Sequence, residues 1–198
     1  VMFLKCIFEK NISMDLEVKK AVDALNKGDV ILYPTDTVWG IGCDATNPIA
    51  VEKVYKIKKR KEKKPMLCLI EDLNMLKLYL DKIPVEVKSI SNQTKPTSII
   101  YPNPKGFAKN LISYNKTIGI RIPKHNFCNK LLKRFGKPIV STSANISFEK
   151  TPTKYSQINL RILEEVDHIV NLEKDIIKAF PSRIYKIDKK GKLILIRQ

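Results

Sequence analysis

The alternation of apolar and polar positions divides the chain into short strand-like runs and helical stretches along its whole length. Behind Asp15, the positions Leu16, Ala21, Ala24 and Leu25 recur at the helical period, which predicts a helix that starts at Asp15 and is ended by Gly28. The apolar run over 30–33 reads as a strand stopped by Pro34. Thr46 or Asn47, with Pro48, opens a second helix whose buried side carries Ala50, Val51, Val54 and Ile57. That helix runs into a basic tract from Lys58 to Lys64 and is closed by Pro65. A buried strand over 66–70, helical stretches near 73–80 and 84–91, and strands over 98–101 and 117–122 follow. Phe127, Leu131 and Phe135 mark another helix, closed by Gly136. A strand over 138–140 feeds a polar loop, Ser141-Thr142-Ser143-Ala144-Asn145, and a helix beyond Ser156 reaches Val166 ahead of a strand over 168–172. The last two strands, 183–187 and 192–197, flank Asp188-Lys189-Lys190-Gly191 as a hairpin. This order predicts a mixed α/β (α+β) architecture, a twisted sheet with flanking helices, in one domain over residues 1–198.

Composition narrows the class. At 43% hydrophobic and 29% charged residues, the 198-residue chain is globular rather than disordered. The opening Met2-Phe3-Leu4 run is broken by Lys5 and Glu9, and no window approaches the roughly eighteen apolar residues of a spanning helix, so no membrane role is expected. The four cysteines, Cys6, Cys43, Cys68 and Cys128, form no Cys-x-x-Cys pair, which points away from a metal site and toward a reducing cytoplasm. His125 and His168 stand apart from any acid or cysteine at ligand spacing and read as surface or structural.

The net charge of +17 speaks to solubility and polyanion binding rather than to an activity. Only six of the 37 basic residues are Arg: Arg60, Arg121, Arg134, Arg161, Arg183 and Arg197. In a chain that otherwise prefers Lys, those positions suit a rigid fork for carboxylate or phosphate.

Four segments bear on the chemistry. Gly40-Ile41-Gly42-Cys43-Asp44-Ala45 has the letters of a dinucleotide fingerprint, but Pro34 breaks the strand before it and Lys fills the region where the ribose-binding acid belongs. No P-loop exists either. Pro34-Thr35-Asp36-Thr37 leaves a strand with two hydroxyls and a carboxylate, a grouping that by itself makes a turn. Lys58-x-Arg60 complements a helix C-terminus. Ser141 to Asn145 sets four hydrogen-bonding side chains in five residues at a strand end, where ligands gather in α/β sheets.

Taken in this order, the segments resemble the YrdC-like family of threonylcarbamoyl-AMP synthases. The matching stretches are Tyr33 to Ala45, Lys58-Lys59-Arg60, Lys95-Pro96-Thr97, Thr117 to Pro123 and Ser141 to Ser147, with weaker matches at Pro181-Ser182 and Arg197. They extend over about 15–198, in the short form without the extra C-terminal domain of some relatives. The resemblance implies the YrdC-like fold and a catalytic tetrad of Lys58, Arg60, Ser143 and Asn145. It implies L-threonine binding by Thr35, Arg121, Ser143 and Ser182, and ATP binding by Lys58, Thr117, Asn145, Thr153 and Arg197. Arg60 lies between the two groups and serves the threonine carboxylate or a phosphate. The implied reaction condenses L-threonine, bicarbonate and ATP, with Mg2+ on the polyphosphate, to threonylcarbamoyl-AMP and pyrophosphate. A separate transferase complex then modifies tRNA.

Two departures accompany the resemblance. Phe148 stands where relatives commonly have Gly, and Arg183 where they tend to have Ser or Thr. Two other readings remain at this point: a basic RNA-binding module, for which the tract from Lys58 to Lys64 lacks interleaved aromatics, and a paralogue that binds adenylate without making the product.

Overall fold

The structure, a computed structural model, describes residues 2–60, 65–177 and 181–198, with residues 2–12 as backbone only. Positions 61–64 of the basic tract lie outside the described residues. Helix α1 (Met2–Asn26) leads into strands β1 (Ile31–Tyr33) and β2 (Gly40–Gly42), then helix α2 (Pro48–Ile57) and β3 (Leu67–Leu69). Helices α3 (Leu73–Tyr79) and α4 (Glu86–Ser91) precede β4 (Thr97–Pro102), β5 (Thr117–Arg121), α5 (Asn126–Phe135) and β6 (Ile139–Ser143). Helix α6 (Leu160–Glu165), β7 (His168–Ile169), β8 (Arg183–Ile187) and β9 (Leu193–Arg197) complete the order.

The strands form one mixed sheet in the order β7-β1-β2-β6-β3-β5-β4-β8-β9. Three pairs are parallel (β1 with β7, β3 with β5, β4 with β8) and the others antiparallel, in line with the mixed α/β expectation. Successive side chains on a strand point to opposite faces, and the core divides accordingly. Leu32, Ile41, Cys68, Ile120 and Val140 face a large cluster that includes Val51 and Val54 of α2. Ile31, Tyr33, Leu69 and Ile139 face a second cluster built by α1 and α5. None of β4, β5 or β8 contributes a buried residue to that second cluster, so beyond β3 this face of the sheet is left uncovered by α1 and α5. The cavities described below open there.

Local chemistry explains the helix ends. Asn47 Oδ1 accepts from the backbone N–H of Ile49 at 2.9 Å and of Ala50 at 3.2 Å, capping α2 with Pro48 as its first residue. Gly136 ends α5 at φ 72°, a left-handed conformation, and donates to Leu132 O at 2.9 Å.

Three sequence expectations need correction, and one unassigned segment proves to be a strand. Asp15 caps nothing: α1 already runs through it, and its carboxylate takes Lys130 Nζ at 2.6 Å. Gly40–Gly42 is a strand. Ser141 to Ser143 belongs to β6 rather than to a loop. The last helical region is a 3-10 turn, Tyr155–Gln157, followed by α6, and β7 is only His168–Ile169.

Strand β2 pairs with β6 (Gly40 opposite Ser143, Ile41 opposite Thr142) at a separation set by its glycines. A Cβ on Gly42 would lie 2.2 Å from Val140 O and 2.8 Å from the Tyr33 ring. Gly42→Ala must therefore push β2 off β6, and a loss of about 3 kcal/mol is expected in denaturant titration. A change below about 0.5 kcal/mol would show that the strands separate without cost.

Candidate active site

A cavity of about 310 Å³ lies on the uncovered face, lined by the loop after β1, the ends of β5 and β6, and the segment before β8. The loop after β1 is a hydroxyl-stabilised turn, as its composition suggests. Thr35 Oγ1 donates to Val38 O at 2.7 Å and accepts from Thr37 N at 3.1 Å. Both threonines are buried and both line the cavity. Between them, Asp36 points to β5, where Arg121 Nη1 donates to its Oδ1 at 2.6 Å and Lys124 N donates to its Oδ2 at 3.2 Å. The two side chains are only 3% and 6% exposed, so the ion pair is essentially out of water. Arg121 lines the cavity, and its Nε is buried without a hydrogen-bond partner among the described residues. A buried guanidinium donor with nothing to donate to is costly unless a ligand supplies the acceptor.

Strand β6 brings Ser141, Thr142 and Ser143 to the opposite wall. Ser143 Oγ donates to Asn145 Oδ1 at 2.5 Å, and Asn145 Nδ2 donates to Ile146 O at 2.8 Å and Glu149 O at 3.0 Å. Behind this loop sits Lys58, whose side chain is buried and whose Nζ donates to Ser143 O at 2.5 Å and Asn145 O at 2.6 Å. Burial, with the nearby Arg60 charge, pushes Lys58 down to about 7, although the two carbonyls favour its protonated form. Arg60 Nη2 donates to Pro65 O at 3.0 Å, and burial lowers its guanidinium below the usual range.

The C-terminal hairpin closes the third side. Ser182 Oγ lies 2.8 Å from Ser98 Oγ, and Arg197 Nη2 donates to Ser182 O at 2.7 Å. Leu67, Ser182 and Arg197 also line a neighbouring cavity of about 260 Å³, which adds Thr117, hydrogen-bonded through its hydroxyl to Ser113 at 2.7 Å. Thr153 lines the first cavity, its backbone N–H and hydroxyl both directed to Gln157 Oε1.

Of the residues nominated from the sequence, Thr35, Arg121, Ser143, Ser182, Thr153 and Arg197 thus share one cavity, and Thr117 lines its neighbour. Lys58, Arg60 and Asn145 line neither; Lys58 and Asn145 hold the loop that carries Ser143. Asp36, Thr37 and Ser98 were not nominated. The first two were visible in the polar run after Pro34 but read as turn formers, and nothing in the sequence couples Asp36 to Arg121. The two departures also resolve. Phe148 adopts φ 74°, the left-handed backbone that glycine takes without strain, while Arg183 turns away to Gln93 Oε1 at 3.3 Å. His125 sits at the start of α5 with its Nε2 3.1 Å from Glu173, away from the cavity lining.

Two outcomes follow. Phe148 is 86% exposed, so Phe148→Gly sheds backbone strain with little loss of packing and should raise stability by about 0.5–1 kcal/mol in denaturant titration. Lys58 holds its proton up to 10.5 when unfolded but only to about 7 when folded, so the unfolded chain binds the extra proton between those values. Wild-type stability should therefore rise with pH across that window relative to Lys58→Met, the difference being lost as pH falls toward 7; parallel curves would place the ammonium in water.

Comparison with known proteins identifies the family and the fold. Residues 23–198 match the family model Sua5_yciO_yrdC, described as telomere recombination. A threonylcarbamoyl-AMP synthase of Pseudoalteromonas translucida is 34% identical over 158 residues, covering 78% of this chain and 84% of that protein. A putative threonylcarbamoyl-AMP synthase of Methanocaldococcus jannaschii is 34% identical over 197 residues, covering 97% and 90%. Escherichia coli YciO superposes with a TM-score of 0.79 at 25% identity, covering 93% of this chain and 89% of that one. Pyrococcus abyssi Sua5 complexed with L-threonine gives 0.80 at 23% identity; the match covers 91% of this chain but 53% of that one, about half its length, and is a likeness of fold.

Proposed function

The chain belongs to the Sua5/YciO/YrdC family, and on that premise we propose that it is an L-threonylcarbamoyladenylate synthase whose cavity holds threonine beside ATP. The observation that carries the reading is the convergence of Thr35, Ser143, Ser182 and the half-tied fork of Arg121 on one cavity, with Arg197 where it meets its neighbour. At about 310 Å³ the first cavity is at the low end of small-molecule sites, which span roughly 300–1,000 Å³, and suits one small amino acid.

The direction of the hydroxyl protons supports the assignment. Ser143 Oγ gives its proton to Asn145 Oδ1, so toward a ligand its oxygen is an acceptor, while Thr35 Oγ1, which donates to Val38 O and accepts from Thr37 N, shapes the facing wall. Ser143 suits the threonine amine or hydroxyl, and the unpartnered Nε of Arg121 suits its carboxylate. ATP takes the adjoining cavity, with Arg197 toward its phosphates and Thr117 along its wall. Among the described residues no three His, Cys, Asp or Glu side chains converge, so magnesium is assigned to the nucleotide and enters on its polyphosphate.

The reaction then requires holding more than bond-making by the protein. The neutral threonine amine adds to the carbon of CO2 derived from bicarbonate and loses a proton. An oxygen of the resulting N-carboxylate attacks the α-phosphorus as the bond to pyrophosphate breaks. Fixed donors align the charged oxygens, and enclosure keeps water from the mixed anhydride. A separate transferase consumes the product in tRNA modification.

The test is to incubate the protein with ATP, magnesium, bicarbonate and L-threonine and look by mass spectrometry for threonylcarbamoyl-AMP, with threonine omitted as control. Arg121→Lys, which keeps the charge but loses the fork, should cut threonine-dependent pyrophosphate release at least about tenfold. No adenylate from the wild-type chain would end the synthase reading.

A further inference from the structure

Two anionic groups must occupy one basic region without exchanging places: a single carboxylate, and a polyphosphate of much higher charge. A bare cationic wall would favour the polyphosphate at both ends. The structure resolves this through a residue outside the nominated site. We propose that Asp36 is the positioning residue that determines specificity at the threonine end, making that end electrically neutral and leaving Arg121 one directed set of donors for a lone carboxylate. The proposal rests on the synthase reading of the same cavity.

The argument begins with how Asp36 is used. Its Oδ1 accepts from Arg121 Nη1 at 2.6 Å and its Oδ2 from Lys124 N at 3.2 Å, so each oxygen already has a protein donor. It acts on a ligand through Arg121. The pair is buried, and in such surroundings an uncompensated guanidinium would attract any anion strongly. With Asp36 in place the pair sums to zero charge, but Nε still faces no acceptor among the described residues. What remains is a directional hydrogen-bonding group rather than a point charge.

The rest of that end points the same way. Ser143 Oγ presents oxygen lone pairs, because its proton is committed to Asn145 Oδ1, and the Thr35 hydroxyl, its proton committed to Val38 O, has none to give a phosphate oxygen. Lone pairs beside a phosphate repel it, whereas the N–H and O–H groups of an amino acid complete them. At the opposite end Arg197 donates to the backbone oxygen of Ser182 and has no carboxylate partner within ion-pair distance among the described residues. The combined cavity therefore runs from a neutral, acceptor-rich end at Asp36 and Arg121 to a cationic end at Arg197. Polyphosphate belongs at the second and is refused by the first.

The test uses inorganic pyrophosphate as the probe. Provided the wild-type chain makes the adenylate, pyrophosphate should compete with ATP and not with threonine. In Asp36→Asn the released charge should make pyrophosphate competitive with threonine as well. Its inhibition constant against threonine should fall about tenfold and the threonine KM should rise about tenfold, with the ATP KM within about twofold. A folded Asp36→Asn chain, judged by circular dichroism, that keeps the wild-type inhibition pattern overturns the proposal. Should that chain fail to fold, Arg121→Gln and the double change Asp36→Asn with Arg121→Gln decide. As the counter-charge of Arg121, Asp36 left bare in Arg121→Gln repels the threonine carboxylate, so the double change should have the lower threonine KM by about tenfold; a KM equal to or above that of Arg121→Gln shows that Asp36 acts elsewhere. An inactive wild-type chain would instead refute the synthase reading, a distinct result.

Discussion

The close approach of β2 to β6 is the constraint on which the site depends. Two strands this near can run side by side because Gly42 carries no Cβ, which would lie 2.2 Å from Val140 O; at Gly40 a Cβ would meet Ser141 Oγ at a tighter-than-usual 3.3 Å. Their pairing sets Gly40 opposite Ser143, which brings the turn after β1 and the loop after β6 to facing sides of one space. The threonines of the first and the serine of the second are more than a hundred residues apart in sequence, and the bond from Ala144 N to Trp39 O at 3.0 Å continues the same pairing beyond the strands. The glycines look like a nucleotide fingerprint by their letters, but they contribute proximity between two backbones rather than a phosphate cradle.

A second theme is that most polar groups around the cavity are already engaged, and the manner of engagement decides what is left over. Lys58 shows this most clearly. Its ammonium is spent on two carbonyls of the loop that presents Ser143, at some cost in desolvation. Asn145 closes the same loop with both ends of its amide. Neither lines either of the two cavities described, so the contribution of both to them passes through the shape of the loop. Arg121 is the complementary case: its Nη1 is engaged by Asp36, while its Nε has no partner among the described residues.

What the sequence disclosed divides along similar lines. Helix α2 was legible because Asn47 and Pro48 act on their own neighbours, and α5 because Phe127, Leu131, Phe135 and Gly136 report one face and one stop. Strand β2 was hidden: a three-residue strand with two glycines has no alternation to read, and its conformation comes from β6. Ser141 to Ser143 looked like a loop because polar side chains are expected in loops; here they are polar because one edge of the strand faces the cavity. The gathering of Thr35, Arg121, Ser143, Ser182 and Arg197 was visible through resemblance. The pairing of Asp36 with a residue 85 positions away was not, since no local pattern carries it.

The position of Arg197 has a kinetic corollary. It lies on β9, the outermost strand of the sheet, held by β8 on one side only, with Ile194, Leu195 and Ile196 between 43% and 56% exposed. Border strands of this kind open at a fraction of the free energy needed to unfold a whole domain. The guanidinium of Arg197 is thus mounted on a part of the sheet that exchanges with solvent early. Fraying of that margin would carry Arg197 away from the cavity while the buried pair of Asp36 and Arg121 stays shut, so the two ends of the cavity can differ in lifetime as well as in charge.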